Sequence, residues 1–161
     1  MRMQKVILIL DNIRSMENVG SIFRTADAAG VSRIILCGIT PKPPRKEIDK
    51  AALGAVDFVE WEYADSPKSK VESLKSEGVK IIALEQDKRS INIQDLPSAF
   101  SLPHLAKLAL VVGNEVEGVN PVILDLADQI IEIPMHGQKN SLNVAVATGI
   151  ALFQLIDSSK E

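Results

Sequence analysis

The chain has a single cysteine, Cys37, so no internal disulfide can staple it. Cys37 closes an apolar run and reads as a small packed hydrophobe. A cytoplasmic setting follows by default. The two histidines, His104 and His136, do not combine with that cysteine into any metal-ligand spacing, so no metal is expected. No apolar run is long enough to cross a bilayer. The short run Val6 to Leu10 meets Asp11 at once and is not a secretory signal, so no membrane partner is expected. The dinucleotide fingerprint is missing, because its middle glycine is replaced by Glu115 in Gly113-Asn114-Glu115-Val116-Glu117-Gly118. There is no Gly-Lys-Ser/Thr phosphate loop either. These absences count against a nucleotide- or flavin-binding doubly wound domain.

What is present suits one globular domain. The chain has 161 residues, 46% of them apolar, enough for a sizeable core and too many for disorder. The net charge of −3 argues mildly against a nucleic-acid partner. Its distribution softens that argument. Residues 1–50 carry nine Lys/Arg against five Asp/Glu, and the remainder carries nine against sixteen. A local basic patch matters more for phosphate contact than the total does.

Continuous apolar runs at Val6 to Leu10, Arg33 to Cys37, Lys80 to Leu84 and Leu105 to Val112 read as strands covered on both faces, as in a parallel sheet. Val56 to Trp61 alternates apolar and polar and reads as a strand near an edge. Between these runs the pattern predicts helices over Glu17 to Ala29, Lys46 to Leu53, Ser66 to Glu77 and Pro121 to Ala127, three of them ended by glycine or followed by it. Val19, Ile22, Phe23, Ala26 and Gly30 form the buried stripe of the first helix. Arg24 falls away from that stripe, and Asn18 lies in the first turn. Residues 85–104 read as irregular, with a helical turn near Ile93 to Leu96. Thr40 to Lys46 is an extended, basic segment with three prolines.

The chain is organised around the stretch from Ile133 to Ala147. A strand over Gln129 to Ile133 stops at Pro134, which has no N–H for a ladder. Gly137 is expected where a side chain would clash, and Asn140 or Ser141 suits a helix N-cap. The long helix that follows, Leu142 to Ile156, is apolar almost all round and needs cover on every side; a symmetric homodimer is the simplest source. A strand end, open backbone groups and a helix N-terminus converge here, which is where open α/β sheets place ligands. A capped helix after a proline stop is the plainer alternative. The glycines around Glu115 likewise suggest either close approach to a bound molecule or a plain turn.

Three motifs, Asn18-Val19-Gly20-Ser21-Ile22-Phe23-Arg24, Gly113 to Gly118, and Ile133-Pro134-Met135 with Ser141-Leu142-Asn143-Val144, stand in an order and spacing that resembles the SpoU family. These are RNA 2′-O-ribose methyltransferases of the SPOUT superfamily. The resemblance runs from Val6 to about Ile156, and Ala51 to Ala55 also looks like that family. It implies an α/β fold: a single-domain parallel sheet flanked by helices, with a C-terminal trefoil knot. Periodicity alone implies no knot. The resemblance further implies S-adenosylmethionine as methyl donor, an RNA substrate (tRNA or rRNA), and a homodimer through the C-terminal helix. The chain resembles the catalytic domain alone, with no separate RNA-binding domain. RNA capture is then expected at Arg14, Lys42, Arg45, Lys46 and Lys50.

Carried onto this sequence, the motifs assign the central role to Arg24, as a base activated by an RNA phosphate or as a clamp that stabilises developing oxyanion charge. A guanidinium gives up its proton reluctantly, which favours the clamp. Asn18 would orient Arg24 or the ribose. Glu115 would hold the arginine or the loop, and Ser141 and Asn143 would shape the site. Gly113, Ile133 and Leu142 match positions whose backbone holds the cofactor, with Leu84 and Met135 as walls around the adenine. Glu117 lies outside the strict motif, and nothing in the motif supports His136 as a base. A catalytically silent RNA-binding module on the same fold is the competing reading, against which the intact motif residues count.

Overall fold

The computed structural model describes residues 6–97, 100 and 107–157; His104 and the start of the run at Leu105 lie outside them. In chain order the elements are β1 (Val6–Asp11), α1 (Met16–Ala29), β2 (Arg33–Cys37), α2 (Lys46–Ala52), β3 (Glu60–Ala64), α3 (Pro67–Ser76), β4 (Lys80–Leu84), β5 (Ile91–Asn92), β6 (Leu108–Gly113), α4 (Pro121–Leu126), β7 (Gln129–Glu132) and α5 (Val144–Asp157). The strands form one seven-stranded sheet in the order β3-β2-β1-β6-β4-β7-β5. Every pairing between them is parallel.

The apolar runs become central strands because both faces of the sheet are covered. Leu8 and Leu10 of β1 pack with Val19, Ile22, Phe23 and Leu152 on the face that carries α1, α2 and α5. Ile7 and Ile9 pack on the other face with Val71, Leu74 and Ile123 of α3 and α4. The predicted stripe of α1 is buried apart from Gly30, which is half-exposed and takes a left-handed φ of 76° as the C-cap. Gly20 is a packing glycine: a Cβ there would stand 2.4 Å from the Ile48 carbonyl oxygen and 2.7 Å from the Ala51 Cβ of α2. Cys37 is fully buried, as expected of a small hydrophobe.

Four readings are corrected. Of the run Val56 to Trp61 only Glu60 and Trp61 are strand. Ala55–Asp57 forms a 3-10 turn and β3 begins at Glu60, because Leu53 and Gly54 both take left-handed φ and extend the turn past α2. The edge position of β3 stands. Residues 91–92 form the short strand β5, too short to show a period of two. Gly137 has open space around it and no left-handed φ, so no clash requires a glycine there. Finally, α5 begins at Val144, not Leu142, and its cap is Asn143, not Asn140 or Ser141. The Asn143 Oδ1 accepts from the N–H groups of Ala145 and Val146 at 2.8 and 3.3 Å. The loop stays non-helical two residues longer than the apolar pattern suggests.

The strand order doubles back at β6. The chain steps outward through β1, β2 and β3, then returns on the far side of β6 with β4. Ligands of open parallel sheets sit beyond the carboxyl ends of strands at such a reversal. Here those ends are Asp11, Leu84, Gly113 and Glu132.

Candidate active site

The loop after β1 is held by the loop after β6. The Asn114 amide donates to the Asn12 carbonyl at 2.8 Å, and the Asn120 N–H donates to the buried Asp11 carboxylate at 2.8 Å. Thr40 Oγ1 accepts from the Ile13 N–H at 3.0 Å. With this frame in place, Glu115 reaches back to the start of α1. One carboxylate oxygen accepts from the Arg14 N–H at 2.8 Å; the other accepts from the Ser15 N–H at 2.9 Å and from the Asn18 side-chain amide at 3.0 Å. Burial alone would raise this carboxyl. The donors of Arg14, Asn18 and Ser15 outweigh it and hold the group below the usual carboxylate range. A carboxylate also suits the positive end of α1.

The network continues to the third motif. The Asn143 side-chain amide donates to the Asn18 side-chain oxygen at 3.1 Å. Glu115, Asn18 and Asn143, one from each motif, therefore form a single hydrogen-bonded chain that ends on the N-terminus of α5. Glu115 is bonded to the loop before α1 and not to the Arg24 side chain. Asn18 is bonded to Glu115 and Asn143, and Arg24 is outside this chain.

Two adjoining cavities lie beside it. One of about 160 Å³ has an apolar lining of Leu84, Ile133, Met135, Leu142 and Ala147, rimmed by Glu85, Gln86, Glu132, Asn140 and Ser141. The other, about 420 Å³, shares Leu84, Glu85, Leu142 and Ser141 with it and adds Gly113, Glu115 and Asn143. Leu84, Gly113, Ile133, Met135 and Leu142 thus gather in one place, joined by Ser141. An apolar slot for a flat base that opens into a polar chamber fits an adenosyl ligand with a short charged tail. Gly113 itself makes its close approach to its own loop. A Cβ there would lie 2.3 Å from Gly118 C and from Val119 N, where Asn114 and Gly118 exchange backbone hydrogen bonds at 2.9 and 3.1 Å.

Arg24 is exposed on α1, lines neither cavity, and its side chain makes no hydrogen bond or ion pair to another described residue. It follows Glu17 by two helical turns. Glu17, with Asn18, Ser21, Asn143 and Val146, lines an open groove of about 580 Å³ between α1 and α5. Arg14, Lys42, Arg45, Lys46 and Lys50 are all exposed. Arg14 borders a further groove of about 540 Å³ between the loops after β1 and β6. Lys42 is held with its ammonium 4.1 Å above the Tyr63 ring. His136 is exposed and lines none of these cavities. Among the described residues no cluster could hold a metal ion, and no helix is long and apolar enough to cross a membrane.

Sequence reasoning missed Asp11, Asn114 and Asn120, which stitch the loops together, and Glu85 and Gln86, which rim the cavities. The Gln86 amide donates to the Asn140 carbonyl at 2.7 Å and anchors the third motif's loop. The available signal was position: Glu85 and Gln86 directly follow a buried strand that ends at the site.

Residues 5–153 match the model of the SpoU rRNA Methylase family. The chain belongs to this family. It is similar to the tRNA (guanosine(18)-2′-O)-methyltransferase of Aquifex aeolicus, at 35% identity over 154 residues, covering 95% of this chain and 69% of that protein. It is also similar to the 23S rRNA (guanosine(2553)-2′-O)-methyltransferase RlmP of Bacillus subtilis, at 32% identity, covering 92% of this chain and 57% of that protein. Among solved structures, an AdoMet-bound rRNA methyltransferase from Sinorhizobium meliloti superposes with a TM-score of 0.85 at 31% identity, covering 96% of this chain and 56% of that one. The chain therefore spans little more than half the length of two of these SpoU relatives. The seven-stranded parallel sheet is the SpoU fold.

Proposed function

We propose that this SpoU-family chain transfers a methyl group from S-adenosylmethionine to a ribose 2′-hydroxyl of structured RNA, either tRNA or rRNA. The observation that carries the reading is the Glu115–Asn18–Asn143 chain, which draws three sequence-distant motifs to the rim of a cavity built for an adenosyl ligand. Leu84, Ile133, Met135 and Leu142 would wall the adenine, with the backbone of Gly113 alongside. When bound, S-adenosylmethionine supplies an electrophilic methyl on a positive sulfur, and the leaving group is a neutral thioether. Glu115 and Asn18 keep the loops rigid around that methyl, and Ser141 and Asn143 shape the side from which the ribose enters. Arg24 grips an RNA phosphate with its planar fork and stabilises the charge that develops on the attacking oxygen, while the proton passes to water.

The protein acts as a homodimer. Val146, Ile150 and Phe153 leave an apolar stripe on α5 that is 52%, 43% and 44% exposed, beside the groove that Asn18 and Asn143 share with α1. A second copy on this face would cover the stripe and enclose Arg24, which leaves α1 on the same flank as Glu17. The C-terminal segment is knotted, a reading supported by the insertion of β6 between β1 and β4 and by the likeness to SpoU structures. RNA rests on the domain's own basic residues, Arg14, Lys42, Arg45 and Lys46. The setting is cytoplasmic, in keeping with the free, buried thiol of Cys37.

The test is to incubate the purified protein with labelled methyl donor and total RNA from a strain lacking the gene, then map the product. A methylated ribose at one position supports the reading and names the substrate. Label that enters bases, or no label with every RNA fraction despite donor binding, overturns it; the second outcome favours the silent binding module.

A further inference from the structure

Glu85 is the first residue past β4. Its backbone is held, because its N–H donates to the Ile131 carbonyl at 3.0 Å and extends the ladder with β7. Glu85 lines both adjoining cavities. The carboxylate lies against Gly118: a Cβ there would stand 2.5 and 2.7 Å from its two oxygens. Gly118, at a φ of 74°, thus makes the room the carboxylate occupies. The Val119 N–H favours its charged form, and among the described residues no lysine or arginine forms an ion pair with it. Burial pushes the carboxyl above its usual range.

A carboxylate has room for about four hydrogen bonds, so this one can accept further donors from the cavity side. Such a group in a cavity wall suits a ligand that brings hydroxyl donors in place of water. The position narrows what those donors are. The smaller cavity has the apolar floor that takes a flat base, and the larger one carries Glu115 and Asn143, where the reacting groups meet. Glu85 lines both, so it faces the part of the ligand between base and sulfur, which is a sugar.

We propose that Glu85 binds the 2′- and 3′-hydroxyls of the methyl donor's own adenosine ribose, each O–H donating to the carboxylate. This rests on the reading that the two cavities hold an adenosyl methyl donor. Glu85 is then the residue that distinguishes a ribonucleoside cofactor from its deoxy counterpart.

Calorimetric titration tests this without turnover. The ligands are S-adenosylmethionine, S-adenosylhomocysteine, and the 2′-deoxy and 3′-deoxy forms of S-adenosylhomocysteine. Wild-type protein is expected to bind the deoxy forms roughly tenfold more weakly, the scale of a lost hydrogen bond to a charged group. Glu85→Ala, which loses both hydroxyl contacts, should bind S-adenosylhomocysteine at least as weakly as the wild type binds either deoxy form, and should no longer tell them apart. Its preference between S-adenosylmethionine and S-adenosylhomocysteine should not change. Should Glu85→Ala fold poorly, Glu85→Gln keeps an acceptor for Val119 and should show a smaller loss in the same direction. The inference is overturned if the variants still discriminate against deoxyribose or bind every ligand as the wild type does. It is overturned equally if they lose S-adenosylmethionine selectively, which would put the carboxylate beside the sulfur. Wild-type protein that binds none of these ligands would instead bring down the cofactor reading itself.

Discussion

The side chains of Asn143 and Asn18 meet at 3.1 Å, although 125 residues of chain separate them. Asn143 has a second task, because its other amide atom caps α5. Helix stability and site geometry therefore depend on one residue, and its two ends can be separated by substitution. Asn143→Ala should destabilise the fold by about 1 kcal/mol, the usual cost of a lost N-cap, and should depress methylation. Asn143→Asp keeps the acceptor for Ala145 and Val146 but cannot donate to Asn18. It should unfold near the wild-type urea midpoint and still methylate poorly. Equal activity in wild type and Asn143→Asp would show that the link to Asn18 is dispensable.

The Arg24 side chain is exposed and makes no hydrogen bond or ion pair to another described residue, so folding should depend on it little. Arg24→Lys should leave stability within about 0.5 kcal/mol, as for an ordinary surface change. Turnover should fall by roughly 10²–10³, the scale of losing a preorganised charge stabiliser, because lysine keeps the charge but not the fork. Near-normal turnover with bound RNA would remove Arg24 from the mechanism.

The lowered Glu115 carboxyl makes stability depend on acid. A carboxyl whose folded value lies below its unfolded value, about 4.3 for a free glutamate, stabilises the fold above that unfolded value. The contribution is lost as the pH falls through the lower folded value. Glu115→Gln should therefore be less stable than wild type at neutral pH, and the two urea midpoints should converge in acid. Parallel curves across the whole range would mean that the Arg14, Ser15 and Asn18 donors do not favour the charged form.

Ile150 stands at the centre of the exposed stripe on α5. Ile150→Glu places a charge there without disturbing the buried side formed by Ala151, Leu152 and Leu155. Sedimentation should show a dimer for the wild type and a monomer for the variant, with methylation lost alongside. An unchanged dimer would move the interface elsewhere.

Local physics determined most of the elements. The buried strands, the stripe of α1, its Gly30 stop and the burial of Cys37 all follow from apolar spacing and turn chemistry, which depend on near neighbours only. The second and third motifs could be read as candidates for the same reason, since each is a short turn past a strand end; the first stood out only through the resemblance to the SpoU family. What the sequence could not decide is who bonds to whom. Gly20 and Gly113 stand out in the motifs, but only the packing reveals that one lets α2 approach α1 and the other lets a loop close on itself. Asn143 competes with Asn140 and Ser141 as a cap until the loop's path selects it. Glu85 is one more polar residue after a strand until Gly118 is seen to make room for it. Such choices rest on contacts between residues far apart in the chain, and those contacts exist only once the sheet has set the distances.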